Sequence, residues 1–338
     1  MISERSLDVL RAIVSDYIET SQPVGSKALV ERHGFAVSSA TIRNEMAYLE
    51  DEQLIVAPHT SSGRIPTDKG YRMFVDRLGE VKPLSISERT AIETFMQGSN
   101  DLDEILGRTV RVLSQLTNQV AMVQYPSLEN GTVKNIQLVL IDSHQLIVLL
   151  VTDVSRVQQH LVALAMPASA EQVETLRAKL TGLVGQPLSK VANLLSVVSS
   201  QIAPVELALF SAVEIALLDL VDANRQDKIL LAGTANLARS EELRPSISPL
   251  LEAIEEQVVL LKLIQEMQAE QNGIALRIGT ENALGQFAAS SIVVGSYEKQ
   301  GAEVAKVGVL GPTRMNYSNN IAAVQAVARY LTEALGGI

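Results

Sequence analysis

Residues 38–72 read SSATIRNEMAYLEDEQLIVAPHTSSGRIPTDKGYR, and the order of the parts in this stretch decides how the rest of the chain is read. Ser38 or Ser39 offers a short hydroxyl that caps a helix start. Ile42, Met46 and Leu49 then recur at spacings of four and three, the stripe of a helix that buries one face. Ala40, Asn44, Ala47 and Asp51 fall on the other face, flanked by Thr41, Arg43 and Tyr48. Leu54–Ala57 suits a short strand, Pro58–Arg64 is a turn-rich loop, and Ile65-Pro66 resumes extended chain. Helix, strand, tip, strand is the order of a recognition helix followed by a wing.

The residue types on that outward face suit duplex DNA. Small side chains such as Ala40 let a helix sit deep in a major groove. Arg43 and Asn44 can pair with guanine and adenine edges, at ~1–3 kcal/mol of discrimination each. Glu50, Asp51 and Glu52 make the far end acidic, so the N-terminal half, with Ser38, Ser39 and Thr41, is the half expected to enter the groove. Taken alone, the helix fits equally well as a core helix whose polar face is merely solvated. The loop that follows tips the reading. His59, Thr60, Ser61 and Ser62 present polar groups at a tip, and Arg64 offers a fork that fits phosphate or a narrow minor groove. Thr67 can cap a further helix with Tyr71, Phe74, Val75 and Leu78 as its stripe, and Lys69 and Arg72 lie near its start, within reach of the same backbone.

The bulk composition bounds the rest. With 338 residues, 47% hydrophobic and 20% charged, the chain can bury a sizeable core in two or three domains. No apolar run reaches the ~18–20 residues of a membrane span, and the acidic N-terminal segment does not read as a signal peptide. Together with the absence of Cys this points to a cytoplasmic protein without disulfides or thiol chemistry. A net charge of −10 argues against a protein that coats nucleic acid, but not against one local binding face. Between Pro58 and Arg77, Arg64, Lys69, Arg72 and Arg77 outnumber Asp68 and Asp76.

Outward from the opening stretch, a helix capped by Ser3 and a short helix from Ser26 to Arg32 complete a small unit over residues 1–80. Residues 81–100 read as a linker, and Asp101–Gln119 as a helix. Val120–Gln124, Asn135–Ile141, Gln145–Thr152 and Val157–Ala163 read as strands of one antiparallel meander. Ser169–Leu183, Leu188–Gln201 and Pro204–Asn224 are helical. The last is apolar nearly all round, and Leu207, Phe210, Val213, Leu217 and Leu218 are its candidates for dimer packing, simple core packing being the alternative. Ile229–Ala232 suits a strand and Pro245–Glu270 one long helix. Strands over Ile274–Ile278, Ser291–Tyr297 and Glu303–Leu310 precede a closing helix over Asn319–Leu335. Strands, then helices, then strands suggest an α+β multidomain chain whose sheet domain carries an insertion.

The run PHTSSGRIPTDKGYR, preceded by SSATIRNEMAYLE, resembles a signature of the heat-inducible transcription repressor family HrcA, and GVLGPTRMNY at residues 308–317 resembles that family's second signature. Glu281-Asn282 and LAGTANL at 231–237 are similar too. The resemblance implies an N-terminal winged helix-turn-helix over 1–80 and a GAF-like α+β domain over 101–165 and 236–338. It further implies an inserted dimerisation domain over 166–235. It implies a repressor of chaperone operons that binds a CIRCE-type inverted repeat as a homodimer, with the chaperonin GroEL keeping it active. No cofactor is expected.

Chemistry of other kinds is not legible. His33, His59, His144 and His160 stand at no metal-ligand spacing, and no phosphate-binding or nucleophile motif is present, so neither a metal site nor an enzyme is expected. Gly311-Pro312-Thr313-Arg314 reads as a strand-end turn with a structural ion pair or as an anion cradle. The competing function is a metabolite-sensing winged-helix regulator with a ligand in the sheet domain, although fold alone establishes no ligand.

Overall fold

The computed structural model describes residues 2–59, 62–78, 84–96, 101–126, 131–152, 157–225, 228–240, 242–269, 273–299 and 302–336. Helix α1 (Glu4–Thr20) starts at Ser3, whose hydroxyl accepts the Ser6 N–H, and ends at Ser21 with φ 59°. Helix α2 (Ser26–His33) stops at Gly34, also left-handed. Helix α3 (Ser39–Asp51) is capped by Ser38 through the Thr41 N–H. Strands β1 (Ile55–Val56) and β2 (Ile65–Pro66) pair antiparallel, Ile55 opposite Pro66 and Val56 opposite Ile65. Helix α4 (Asp68–Asp76) is capped by Thr67. Val9, Ile13, Leu29, Ile42, Leu49 and Leu54 are fully buried between these elements, each worth about 1.5–3 kcal/mol on leaving water. The stripe Ile42, Met46, Leu49 is the buried face of α3, as its spacing requires.

Residues 81–100, read as a linker, contain helix α5 (Ile86–Met96), with Ile92 buried. The Ser85 hydroxyl accepts from the Glu88 N–H while the Glu88 carboxylate accepts from the Ser85 N–H. That reciprocal pair is a capping box, and Ser-x-x-Glu at 85–88 was its sequence signal. Helix α6 (Leu102–Thr117) follows.

Strand β3 (Val120–Gln124) joins β7 (Ile229–Ala232), β8 (Ile274–Ile278), β9 (Ser290–Lys299) and β10 (Ala302–Pro312) in one antiparallel sheet of order β7-β3-β10-β9-β8. Both faces are covered. Ala121, Val123, Val293 and Val307 pack with α6 and α13 (Tyr317–Gly336). Val120, Met122, Ile292 and Val294 pack with α11 (Ile247–Glu255) and α12 (Gln257–Glu266). Burial on both faces is why these strands are apolar without alternation. The single helix read over Pro245–Glu270 is therefore two, separated at Glu256 with ψ 72°.

The expected four-strand meander divides between two sheets. Strands β4 (Val133–Asp142), β5 (Gln145–Thr152) and β6 (Val157–Ala163) form a separate three-stranded sheet, order β4-β5-β6. Short loops made all four strands look like neighbours, but the chain changes sheet between β3 and β4. The new sheet alternates buried and outward residues, as a sheet covered on one face must. Its inner face shares a core with α7 (Ala170–Leu180), α8 (Val191–Ser199) and α9 (Leu207–Arg225). The segment that packs together thus begins at β4, well before residue 166. Phe210, Val213 and Leu217 lie at 0% exposure in that core. They fill a core within the same chain, packed with residues of β4 to β6 and of α7 and α8. Of the residues read as dimer packing, Leu207 is exposed and Leu218 half-buried.

Candidate nucleic-acid interface

The outward face of α3 is built by its own register. Ala40, Arg43, Asn44, Ala47 and Asp51 are exposed, and Ser39, Thr41 and Tyr48 half-buried at its borders. Arg43 and Asn44 make no side-chain hydrogen bond or ion pair with the described residues. The inner side of the same helix is held to α1. Glu45 accepts from the Ser6 hydroxyl at 2.6 Å and from Arg5 Nε at 2.7 Å. The Ser6 hydrogen bond, with Arg5 adding to it against the opposing effect of burial, holds the Glu45 carboxyl below the usual glutamate range. Asp16, buried in α1, takes His33 Nε2 at 2.8 Å and Arg32 Nη1 at 3.1 Å, which locks α2.

The hairpin stands beside α3 and is pinned at its base. Val24 and Arg64 exchange both backbone hydrogen bonds at 2.9 Å, so the α1–α2 connection acts as a third short strand. Gly63 must lack a side chain there, because a Cβ would come within 2.6 Å of the Val24 backbone carbonyl. At the tip, His59 and Ser62 close on each other: the Ser62 hydroxyl donates to the His59 carbonyl at 2.7 Å and accepts the His59 N–H at 3.0 Å. Thr60 and Ser61 lie outside the described residues.

Unlike Arg43, the three cations read from the hairpin and α4, Arg64, Lys69 and Arg72, are all engaged within the protein. Arg64 places its guanidinium on Glu50 of α3, Nε at 2.9 Å and Nη2 at 2.8 Å, tying the hairpin to the helix. Lys69 remains exposed but donates to the Glu52 carbonyl at 2.7 Å. Arg72 turns away from α3 altogether. It donates through Nε to Glu281 at 2.8 Å and through Nη2 to the Leu276 carbonyl at 2.8 Å, with a second bond to Glu281. Sequence spacing cannot show such pairings, since Glu281 is more than two hundred positions away.

The 308–317 run also proves to face the N-terminal helices. Thr313 donates to Glu242 at 2.6 Å, and Arg314 lies 3.6 Å from the same carboxylate and over the Tyr17 ring of α1. A protein carboxylate thus fills the turn that also read as an anion cradle. Tyr317 tilts against Tyr71 of α4, with ring centroids 5.7 Å apart. Burial pushes both phenols well above their ordinary range, with Glu242 adding to it. Glu281-Asn282 and the 231–237 run are structural as well. Asn282 donates to the carbonyls of Gly279, Phe287 and Ser290, and Asn236 to that of Gln119. Among the described residues no His, Asp and Glu side chains gather to hold a metal ion, and no helix is long and apolar enough to cross a membrane.

A solved structure described only as that of a hypothetical protein at 2.2 Å resolution shares this fold, with a TM-score of 0.70 and 25% identity over 100% of this chain and 99% of that one. A family model described as HrcA protein C terminal domain matches residues 103–321. The heat-inducible transcription repressor HrcA of Clavibacter michiganensis subsp. michiganensis is 52% identical over 337 residues, 99% of each chain. That of Leifsonia xyli subsp. xyli is 52% identical over 338 residues, 99% of this chain and 100% of its own. These relatives are named transcription repressors and not enzymes. On this match along its whole length, the chain belongs to the HrcA family of heat-inducible transcription repressors.

Proposed function

We propose that residues 1–80 form a winged helix-turn-helix and that the chain represses by binding an inverted-repeat operator of the CIRCE type as a homodimer. The observation that carries this is the outward face of α3, where Arg43 and Asn44 stand exposed and unengaged beside small Ala40 and Ala47. The N-terminal half of α3 enters the major groove, with Ser38, Ser39, Thr41 and Tyr48 at its margins. The hairpin tip, His59 and Thr60 to Ser62, lies along the sugar–phosphate backbone. Arg64 and Lys69 set the angle of hairpin and helix, and reach phosphate only by leaving Glu50 and the Glu52 carbonyl.

The five-stranded sheet with its helices is read as a GAF-like body, and the unit from β4 to α9 as the inserted dimerisation domain. The second copy docks on the outer face of β4-β5-β6. Val139, Ile147 and Leu161 form one row across the three strands there, with Ile141 and Val157 exposed nearby. The outward positions of β5, Gln145, Ile147, Leu149 and Val151, carry no charge, so the face meets its own two-fold copy without repulsion. The repressor works in the cytoplasm, and a part for the chaperonin GroEL in sustaining it rests on the family resemblance alone.

The test is a gel shift of the full chain against a duplex carrying the inverted repeat, with and without added chaperonin. A shift that a random duplex cannot compete away supports the reading, and equal competition by random DNA overturns it.

A further inference from the structure

The N-terminal unit meets the sheet body through a compact set of charged and polar contacts on one side of α4. Asp68, the first residue of that helix, accepts from the Thr280 N–H and from the Thr280 hydroxyl, both at 2.9 Å. Gly279 has φ 53°, and a Cβ there would lie 2.2 Å from the Asp68 carboxylate, so the turn has been shaped around that side chain. One helical turn on, Arg72 grips Glu281 with two nitrogens and also donates to the Leu276 carbonyl on the free edge of β8. Glu281 is itself held, accepting the Ile278 N–H at 2.8 Å. The arginine and glutamate side chains are 22% and 33% exposed, which puts the pair at the rim of the buried Tyr71–Tyr317 contact.

This seam lies away from the reading face. Ala40, Arg43, Asn44 and Ala47 remain exposed while the seam is closed, so DNA and the body do not compete for α3. A bidentate guanidinium–carboxylate pair fixes orientation as well as distance. A second contact one turn away on α4, the Asp68 carboxylate with the Thr280 N–H and hydroxyl, removes rotation about the first.

We propose that Asp68 and Arg72 are positioning residues for operator recognition: by clasping residues 279–281 they set the angle at which each subunit presents α3 to the duplex. The inference rests on the reading of a homodimer on an inverted repeat. Arg72 therefore serves the DNA complex without touching DNA. With both clasps closed, two reading helices sit at a fixed separation, and only half-sites at the matching spacing engage together.

The test uses the full chain, the variants Arg72→Glu and Glu281→Arg, and the double exchange. Duplexes carry the inverted repeat with its native spacer or one longer by about half a helical turn, ~5 bp. The native chain should bind the longer spacer ~100-fold more weakly, since the second half-site can no longer be reached. Each single variant should shrink that ratio below ~10-fold, and the double exchange should recover part of it, since the ion pair re-forms while the Leu276 carbonyl and the Ile278 N–H lose their native partners. A purely structural role would weaken both duplexes alike and leave the ratio intact, which overturns the proposal, as does a double exchange no better than the singles.

A second measurement needs no DNA. The chain has no Cys, so spin labels on Glu31→Cys and Arg329→Cys, both at exposed positions, report the distance between N-terminal unit and body. A narrow distribution that broadens in Arg72→Glu and narrows again in the double exchange supports the clasp. An unchanged narrow distribution in Arg72→Glu sinks it. Broadening on schedule in a chain whose native form ignores the inverted repeat would instead sink the dimeric-operator reading and, with it, the role in recognition.

Discussion

At the scale of single residues, the interface separates groups that face outward from groups that hold the frame. Arg43 and Asn44 belong to the first kind. Arg43→Ala and Asn44→Ala should each lower the preference for operator over random duplex by ~1–3 kcal/mol while leaving the thermal midpoint nearly unchanged. Competition binding checks the first part and a melting scan the second. Glu45 belongs to the second kind, and its depressed titration has a direction. The unfolded chain takes up the proton in the ordinary glutamate range, the folded chain only below it. Its contribution to stability is therefore complete above the ordinary range and is lost as pH falls through the lowered value. Acid titration followed by circular dichroism should show a shallower acid-side loss in Glu45→Gln than in the native chain.

Elements show where sequence was a sufficient guide and where it was not. The bounds of α1 to α4 and the hairpin were legible because each has a local signal: Ser3, Ser38 and Thr67 cap, Gly34 stops, and Ile42, Met46 and Leu49 keep helical spacing. Helix α5 carries such a signal in its capping box but no strong apolar stripe to go with it. The partition of strands was legible only in part: β3 is apolar without alternation and β5 alternates, but nothing local says that the two kinds belong to different sheets. Nor were the partners of Arg64 and Arg72, which are tertiary. The hairpin also yields a prediction. Gly63→Ala sets a methyl against the Val24 backbone inside a hydrogen-bonded bridge that cannot move aside. It should cost ~1–3 kcal/mol in urea unfolding, on the scale of an overpacked core, and weaken all duplexes together.

For the molecule as a whole, two apolar surfaces of the β4–α9 unit have opposite fates. Phe210 is inside, and Phe210→Ala should lower stability by ~3–5 kcal/mol. Leu161 is 61% exposed on the outer sheet face, and in the proposed dimer Leu161→Glu should convert dimer to monomer in light scattering while the chain stays folded by circular dichroism. A monomeric native chain at micromolar concentration would rule out the dimer.

One small detail reaches further. Tyr125 N–H donates to the Lys228 carbonyl at 2.8 Å, and Gln124 pairs with Ile229, so the chain leaves the five-stranded sheet and rejoins it at adjacent points. Strands β4 to β6 and helices α7 to α9 hang from it like an appendage with both roots side by side. Excising them and closing the gap with a tight two-residue loop would turn β3 and β7 into an ordinary hairpin. The shortened gene product should fold, keep its grip on a single half-site, and lose the gain in affinity that a paired site gives.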